Sequence, residues 1–326
     1  MAMNNFLKND WHVVAQSQDL QPGKIFKARL LGEDIVLWRS GDKALAWQDR
    51  CPHRGSSLAK GWIEEDTLVC PYHGFAFDNS GHCVHVPAQP DRPPSKRSRA
   101  CVQEFHIQER YGFVWVCLGT PQKDVVPFPE WDEPNYHKFC FGPNRYLSSA
   151  PRALENFIDV NHIPYVHKGT LGQPEQAAMG DYKVEVTEDG IKVSEVNVWQ
   201  VDPGLSEQSG KADSAGLQIL RPLTVCLRRG ADDSRLTIFF TITPIDEEEC
   251  VAWRWMFLSD TQEVNKPDFN GFVNTIISED IVAVESQRPK RLPLDLQAEF
   301  HLSTIAPPFA YRKWLKKLGV TFGTIY

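Results

Sequence analysis

An α+β fold in two domains is what the sequence predicts, and three observations predict it. The first third of the chain is a succession of short runs rich in valine, isoleucine, leucine and aromatic residues, broken by glycine and aspartate turns. Residues 121–134 then carry Pro121, Pro127, Pro129 and Pro134, the composition of a linker. The remainder mixes long strand-like runs with stretches of helical period. The boundary falls within residues 120–145 and gives domains 1–130 and 131–326.

In the first domain, strands are expected over residues 11–15, 25–31, 35–38, 45–48, 67–69 and 113–118, interrupted by the proline-rich, basic loop 87–99. In the second, a helix over 152–161 precedes strands over 183–186, 191–201, 236–242 and 250–258. Glu188-Asp189-Gly190 and residues 246–249 supply hairpin turns between strands. A last long amphipathic helix over 268–286 begins beside Pro267, near a helix start where a missing N–H matters little. Trp253, Trp255 and Phe257 alternate on one strand and either line a substrate cavity or form plain core.

Composition narrows the function classes. With 326 residues, 42% hydrophobic and 24% charged, the chain can bury two globular cores. Its 35 basic against 42 acidic residues leave a net charge of -7, a poor balance for neutralising phosphates, so nucleic acid is not an expected partner. The longest apolar run, 111–118, is far shorter than the roughly 18 residues of a spanning helix, and residues 1–10 lack an apolar signal core. A cytoplasmic protein without a membrane partner is expected. Eight cysteines are too sparse for a disulfide scaffold, which leaves burial, metal ligation or catalysis as their uses.

Cys51-Pro52-His53 and Cys70-Pro71-Tyr72-His73 each sit on a turn leaving a strand, and each offers one thiolate and one imidazole. Zinc is one candidate for such a set. Alternating Cys and His on two distant loops departs from finger spacing, however, and suits a [2Fe–2S] cluster with two cysteines on one iron and two histidines on the other. The run from Cys51 to Gly55, with Cys70-Pro-Tyr-His-Gly-Phe-Ala-Phe-Asp78, resembles the Rieske motif of the ring-hydroxylating oxygenases. Ser56 and Tyr72 stand where cytochrome-complex Rieske proteins carry extra cysteines. Phe75 stands where the oxygenases more often have tryptophan.

A second constellation lies at 155–167. His162 and His167 stand five positions apart, one more than the i,i+4 neighbours of an ideal helix, and Pro164 is expected to break the helix after about Asn161 and bring the two imidazoles together. Two histidines and a carboxylate on one face of Fe(II) leave positions open for O₂. On the helix 268–286, Asp280 falls within the apolar stripe formed by Phe269, Phe272, Val273, Ile276, Ile277, Ile281 and Val284, and Glu279 lies at its edge. A metal would compensate a carboxylate there. A helix one residue out of register would favour Glu279 instead.

The segment again resembles the Rieske oxygenases, whose N-x-x-D-x₂-H-x₄-H run matches Asn156, Asp159, His162 and His167. The resemblance implies His162, His167 and Asp280 as iron ligands and Asp159 as a carboxylate that hydrogen-bonds a triad histidine and the cluster ligand His73 of a neighbouring subunit. It further implies a Rieske domain followed by a helix-grip catalytic domain, a homotrimer, and an oxygenase that uses O₂ on a small organic substrate. Electrons would come from NAD(P)H only through a separate reductase or ferredoxin, since the chain has no nucleotide-binding glycine loop. Residues 310–323 and 128–138 look like the small Rieske monooxygenases, among them saxitoxin-pathway hydroxylases and, more distantly, vanillate and dicamba O-demethylases. Hydroxylation or demethylation is therefore expected over cis-dihydroxylation. A Rieske electron carrier, or a helix-grip binding protein with an inactive iron site, is the alternative. Arg92, Lys96, Arg97 and Arg99 form a basic run that either docks an acidic redox partner or is a solvated loop.

Overall fold

The computed structural model describes residues 6–92, 100–178, 183–201, 210–230, 235–259, 265–301 and 306–326; Lys96, Arg97 and Arg99 lie outside them. The described chain divides into a unit within residues 6–125 and a unit within residues 126–326. The described helices include none long and apolar enough to cross a membrane.

The first unit is all-β. Strands β1 (His12–Gln16), β2 (Phe26–Leu30), β3 (Glu33–Ser40), β4 (Lys43–Gln48), β5 (Trp62–Glu64), β6 (Thr67–Val69), β7 (Ala76–Phe77), β8 (Cys83–His85), β9 (Glu104–Arg110) and β10 (Phe113–Cys117) form two antiparallel sheets. One has the order β1-β10-β9-β4-β3-β2 and the other β5-β6-β7-β8. In the larger sheet, runs of β1, β3, β4 and β10 are buried continuously rather than in alternation. Trp38 and Trp47 meet edge to face at 4.9 Å in a cluster with Leu58, Leu68, Phe77, Cys51 and Cys70, so the loops bearing the two cysteines are anchored in the core.

In the second unit β11 (Tyr136–Tyr146) leads into α1 (Ala150–Ile158) and the single turn α2 (Ile163–Val166). A meander follows: β12 (Lys183–Val186), β13 (Ile191–Val201), β14 (Gly210–Arg221), β15 (Thr224–Arg229), β16 (Leu236–Asp246) and β17 (Glu249–Ser259). Then come α3 (Lys266–Ser286), β18 (Leu292–Pro293), α4 (Ala306–Leu318) and β19 (Thr324–Ile325), the two short strands pairing in parallel. The large sheet has the order β11-β17-β16-β15-β14-β13-β12, antiparallel throughout. α3 packs on one face of it, where Phe269, Val273 and Ile277 meet Phe139, Phe141, Met256 and Leu258.

Helix α3 is therefore not the last helix, as the sequence pattern suggested: α4 follows it. Pro307 and Pro308 open α4, and Tyr311, Trp314 and Leu315 form its buried stripe. Strand pairing also puts Trp253, Trp255 and Phe257 opposite the side expected for a cavity lining. Trp255 packs on Trp131 and Phe257 on Phe128, while Arg254 and Met256, one position out of phase, face the helices.

A buried ion cluster fastens α1 in place. Arg312 of α4 holds both carboxylate oxygens of Glu155 at 2.5 and 2.7 Å, and Arg152 and Arg312 share Glu299. Glu155→Ala leaves Arg312 buried without this partner and is expected to destabilise the protein by about 3–5 kcal/mol. A urea midpoint unchanged from wild type would contradict this.

Candidate metal centres

Two loops of the first unit share one hydrogen-bond plan. In each, a cysteine carbonyl accepts from a glycine four residues on (Gly55 N to Cys51 O at 2.8 Å, Gly74 N to Cys70 O at 3.0 Å), and the cysteine N–H closes the loop on the next residue's carbonyl, Ser56 or Phe75. Both glycines have left-handed backbones, φ +76° and +72°, which a residue with a Cβ adopts only with strain. Cys51 and Cys70 are buried with their thiols in contact, whereas His53 and His73 stand at the surface with ring centroids 4.7 Å apart. Phe75 stacks on His53 at 4.7 Å and 3°. Burial and the neighbouring Cys70 push the Cys51 thiol up to about 11. Such a pair becomes a dithiolate at neutral pH only where a cation offsets the charge, as a metal cluster does. All four residues named from the sequence are thus brought together.

The second site is built by a broken helix. The break occurs at Asp159, two residues before the expected end at about Asn161, and Pro164 is not its cause. Asp159 leaves helical geometry (φ -90°, ψ 95°) and its Oδ1 accepts from the backbone N–H of Asn161 at 3.0 Å, capping the turn that holds His162. Pro164 sits in the first turn of α2, where its missing N–H is tolerated. The new turn swings His162 and His167 into contact, Nε2 to Nε2 at 3.2 Å. Asp280 Oδ1 lies 3.5 Å from the first and 3.3 Å from the second, and Asn156 Nδ2 donates to the same oxygen at 2.8 Å.

The outer nitrogens decide what the inner ones can do. His167 Nδ1 meets Glu279 Oε2 at 2.7 Å, and Thr170 Oγ1 donates to Glu279 Oε1 at 2.8 Å. His162 Nδ1 meets the backbone carbonyl of Asp159. Both acceptors demand a proton on Nδ1, so each neutral ring turns a bare lone pair on Nε2 toward the other and toward a carboxylate. A metal cation, or a proton shared between the rings and Asp280, satisfies that arrangement. Burial opposes charge on both acid and base, yet the two imidazoles hold Asp280 well below the usual carboxylate range and Asp280 with Glu279 lifts His167. His162, His167 and Asp280 together form a group able to hold a metal ion.

Glu279 therefore neither replaces Asp280 nor points away. The two adjacent acids take opposite sides of His167, Asp280 at Nε2 and Glu279 at Nδ1. Within this chain the side-chain carboxylate bound to a triad histidine is that of Glu279, while Asp159 reaches His162 through its main chain. Thr170 was invisible in the sequence because it depends on the turn after His167. Removing the acceptor by Glu279→Ala is expected to weaken iron affinity about 10–100-fold. Titration of apoprotein with Fe(II) checks this, and equal affinities would refute the role.

Beside the triad lies a cavity of about 130 Å³, room for a small organic molecule rather than one water. Leu217, Leu227, Ile238, Met256 and Phe272 give it an apolar wall, and Arg229 and Arg254 reach it from the sheet. Arg254 also hydrogen-bonds the Tyr146 hydroxyl, which burial pushes up to about 12.

The Rieske [2Fe-2S] domain family matches residues 10–106, and the Vanillate O-demethylase oxygenase C-terminal domain family matches residues 148–321. "Probable methylxanthine N7-demethylase NdmC" of Pseudomonas sp. (strain TJI-51) is 32% identical, covering 99% of this chain and 98% of its own. The solved structure of Pseudomonas putida CBB5 NdmA with caffeine matches with a TM-score of 0.82 at 26% identity, over 96% of this chain and 91% of that one. "Oxidoreductase NdmD" of Pseudomonas putida is 39% identical over 126 residues, which are 38% of this chain and 21% of that protein.

Proposed function

Because this chain belongs to the Rieske non-haem iron oxygenases, we propose that Cys51, His53, Cys70 and His73 hold its [2Fe–2S] cluster and that His162, His167 and Asp280 hold its mononuclear iron. The enzyme, supplied with electrons by a separate reductase, would hydroxylate or oxidatively demethylate a small organic substrate. The observation that carries this reading is the convergence of two imidazole Nε2 atoms and one carboxylate oxygen beside an apolar cavity. The two metal groups supply single electrons and a place for O₂. In balance, one oxygen atom enters a substrate C–H bond and the other leaves as water, with two electrons and two protons consumed. Where the carbon is a methyl on nitrogen or oxygen, the product breaks down to formaldehyde.

The chain's own residues then have distinct tasks. Glu279 and the Asp159 carbonyl fix the imidazole tautomers, Asn156 orients Asp280, and the apolar wall holds substrate away from bulk water. Asp159 is assigned the bridge to a neighbouring subunit's cluster in a homotrimer. In support, Asp159 is only partly buried, and among the described residues its Oδ1 alone is engaged, by Asn161. Work in the cytoplasm fits an enzyme whose eight cysteines, two of them assigned to the cluster, form no disulfide.

The test is turnover with a reductase, NAD(P)H and ¹⁸O₂ on a panel of N-methyl, O-methyl and C-methyl aromatics. A C-methyl substrate should give a hydroxylated product carrying the label, and an N- or O-methyl substrate should release one formaldehyde per NAD(P)H consumed. Hydroxylated C-methyl product without label would overturn the reading.

A further inference from the structure

The cavity wall carries a charge that its surroundings leave uncompensated. Arg254, on β17, is 5% exposed and lies on the same sheet face as Met256, Ile238 and Leu227. Its guanidinium rests 4.9 Å over the ring of Phe240, which in turn stacks on Phe157 of the cavity lining at 4.4 Å. Its one hydrogen-bond partner among the described residues is Tyr146, a neutral phenol, and its buried Nε has no acceptor. A π face and a phenol soften a buried guanidinium but do not neutralise it.

The rest of the described lining offers the Arg254 guanidinium no counter-ion of its own. Among the described residues Asp280 is the single carboxylate of the lining, and the iron reading commits it to a metal dication. Histidine ligands are neutral, so the loaded site presents net positive charge to whatever fills the apolar space. Arginine is the side chain best shaped for a planar oxyanion.

We propose that the substrate is anionic, an apolar body bearing a carboxylate or comparable oxyanion, and that Arg254 is the residue that recognises the charged group. The inference rests on the oxygenase reading and narrows it to a substrate class. It also fixes orientation: the charged end sits at the sheet wall, and the apolar body extends toward His162 and His167.

Isothermal titration calorimetry on the anaerobic, iron-loaded holoenzyme tests it, with benzoate, benzenesulfonate and hexanoate set against benzamide and hexanamide. At least one anion should bind tenfold or more tightly than its matched amide, and which one binds separates carboxylate from sulfonate and aryl from alkyl. Arg254→Gln should erase that preference and leave amide affinities within twofold, and Arg254→Lys should keep part of it. Cluster absorbance and iron content check that both variants are folded. Equal binding of amides and anions, failure of every anion to bind, or a preference that survives Arg254→Gln overturns the proposal. Binding is read without O₂ or electrons. A protein that binds anions but never oxygenates would therefore refute the oxygenase reading alone, and one that oxygenates without charge preference would refute only this inference.

Discussion

His162→Ala is expected to abolish substrate oxidation while the visible spectrum of the Rieske cluster stays as in wild type. His162 supplies one of three converging donors, and its removal leaves His167 Nε2 and Asp280 Oδ1, 3.3 Å apart, to hold the iron alone. Loss of outer partners of a metal ligand already costs 10–100-fold in affinity or activity, so loss of a ligand should exceed about 100-fold. The cluster should be insulated from this change because the four residues proposed to hold it lie on two loops of the first unit, each closed by its own backbone hydrogen bonds. Iron analysis should fall by one ion per chain with sulfide unchanged. Activity within tenfold of wild type would remove His162 from the ligand set.

Asp159→Asn is expected to cut the transfer of electrons from cluster to iron by about 100-fold with both metals still bound. The substitution is nearly isosteric and keeps an Oδ1 that can accept from Asn161 N–H, so the cap that begins the His162 turn survives. The main-chain carbonyl that orients His162 is untouched. What disappears is the negative charge, which the bridging role uses to bind a protonated or ligating imidazole on the neighbouring subunit. Rapid mixing of reduced protein with O₂ and substrate, followed at the cluster absorbance, measures the step. A single-turnover rate equal to wild type would show that electrons do not pass by way of Asp159.

Most of this architecture is legible in the sequence because its signals are local. The β-rich runs of the first unit and the strands 183–186 and 191–201 follow hydrophobic pattern and turn residues, and they match β12 and β13 at both ends. Cys51, His53, Cys70 and His73 are legible as spacing alone. Asp280 is legible because a carboxylate inside an apolar stripe of α3 needs a reason, and the buried series Phe269, Val273, Ile277, Asp280 and Val284 shows that stripe.

What was illegible depends on pairing. β14, with Gly210, Asp213, Ser214 and Gly216, lacks strand-like composition and is extended because it sits between β13 and β15. Strand phase decides whether Trp255 or Arg254 sees the cavity, and a one-residue shift exchanges the faces. Proline is a visible breaker, so Pro164 points to a break after about Asn161, whereas the cap made by Asp159 is a side-chain event a pattern does not display. Glu279 and Thr170 meet His167 only after the turn that follows His167 and the distant helix α3 converge.

The central claim is that one chain holds both a cluster and a separate iron. Iron and acid-labile sulfide per chain, measured on anaerobically purified protein together with electron paramagnetic resonance of the reduced sample, tests it most directly. The account predicts about three irons to two sulfides with a Rieske signal. About two irons to two sulfides, persisting after Fe(II) is supplied, would contradict it and leave an electron relay with no oxygenase site.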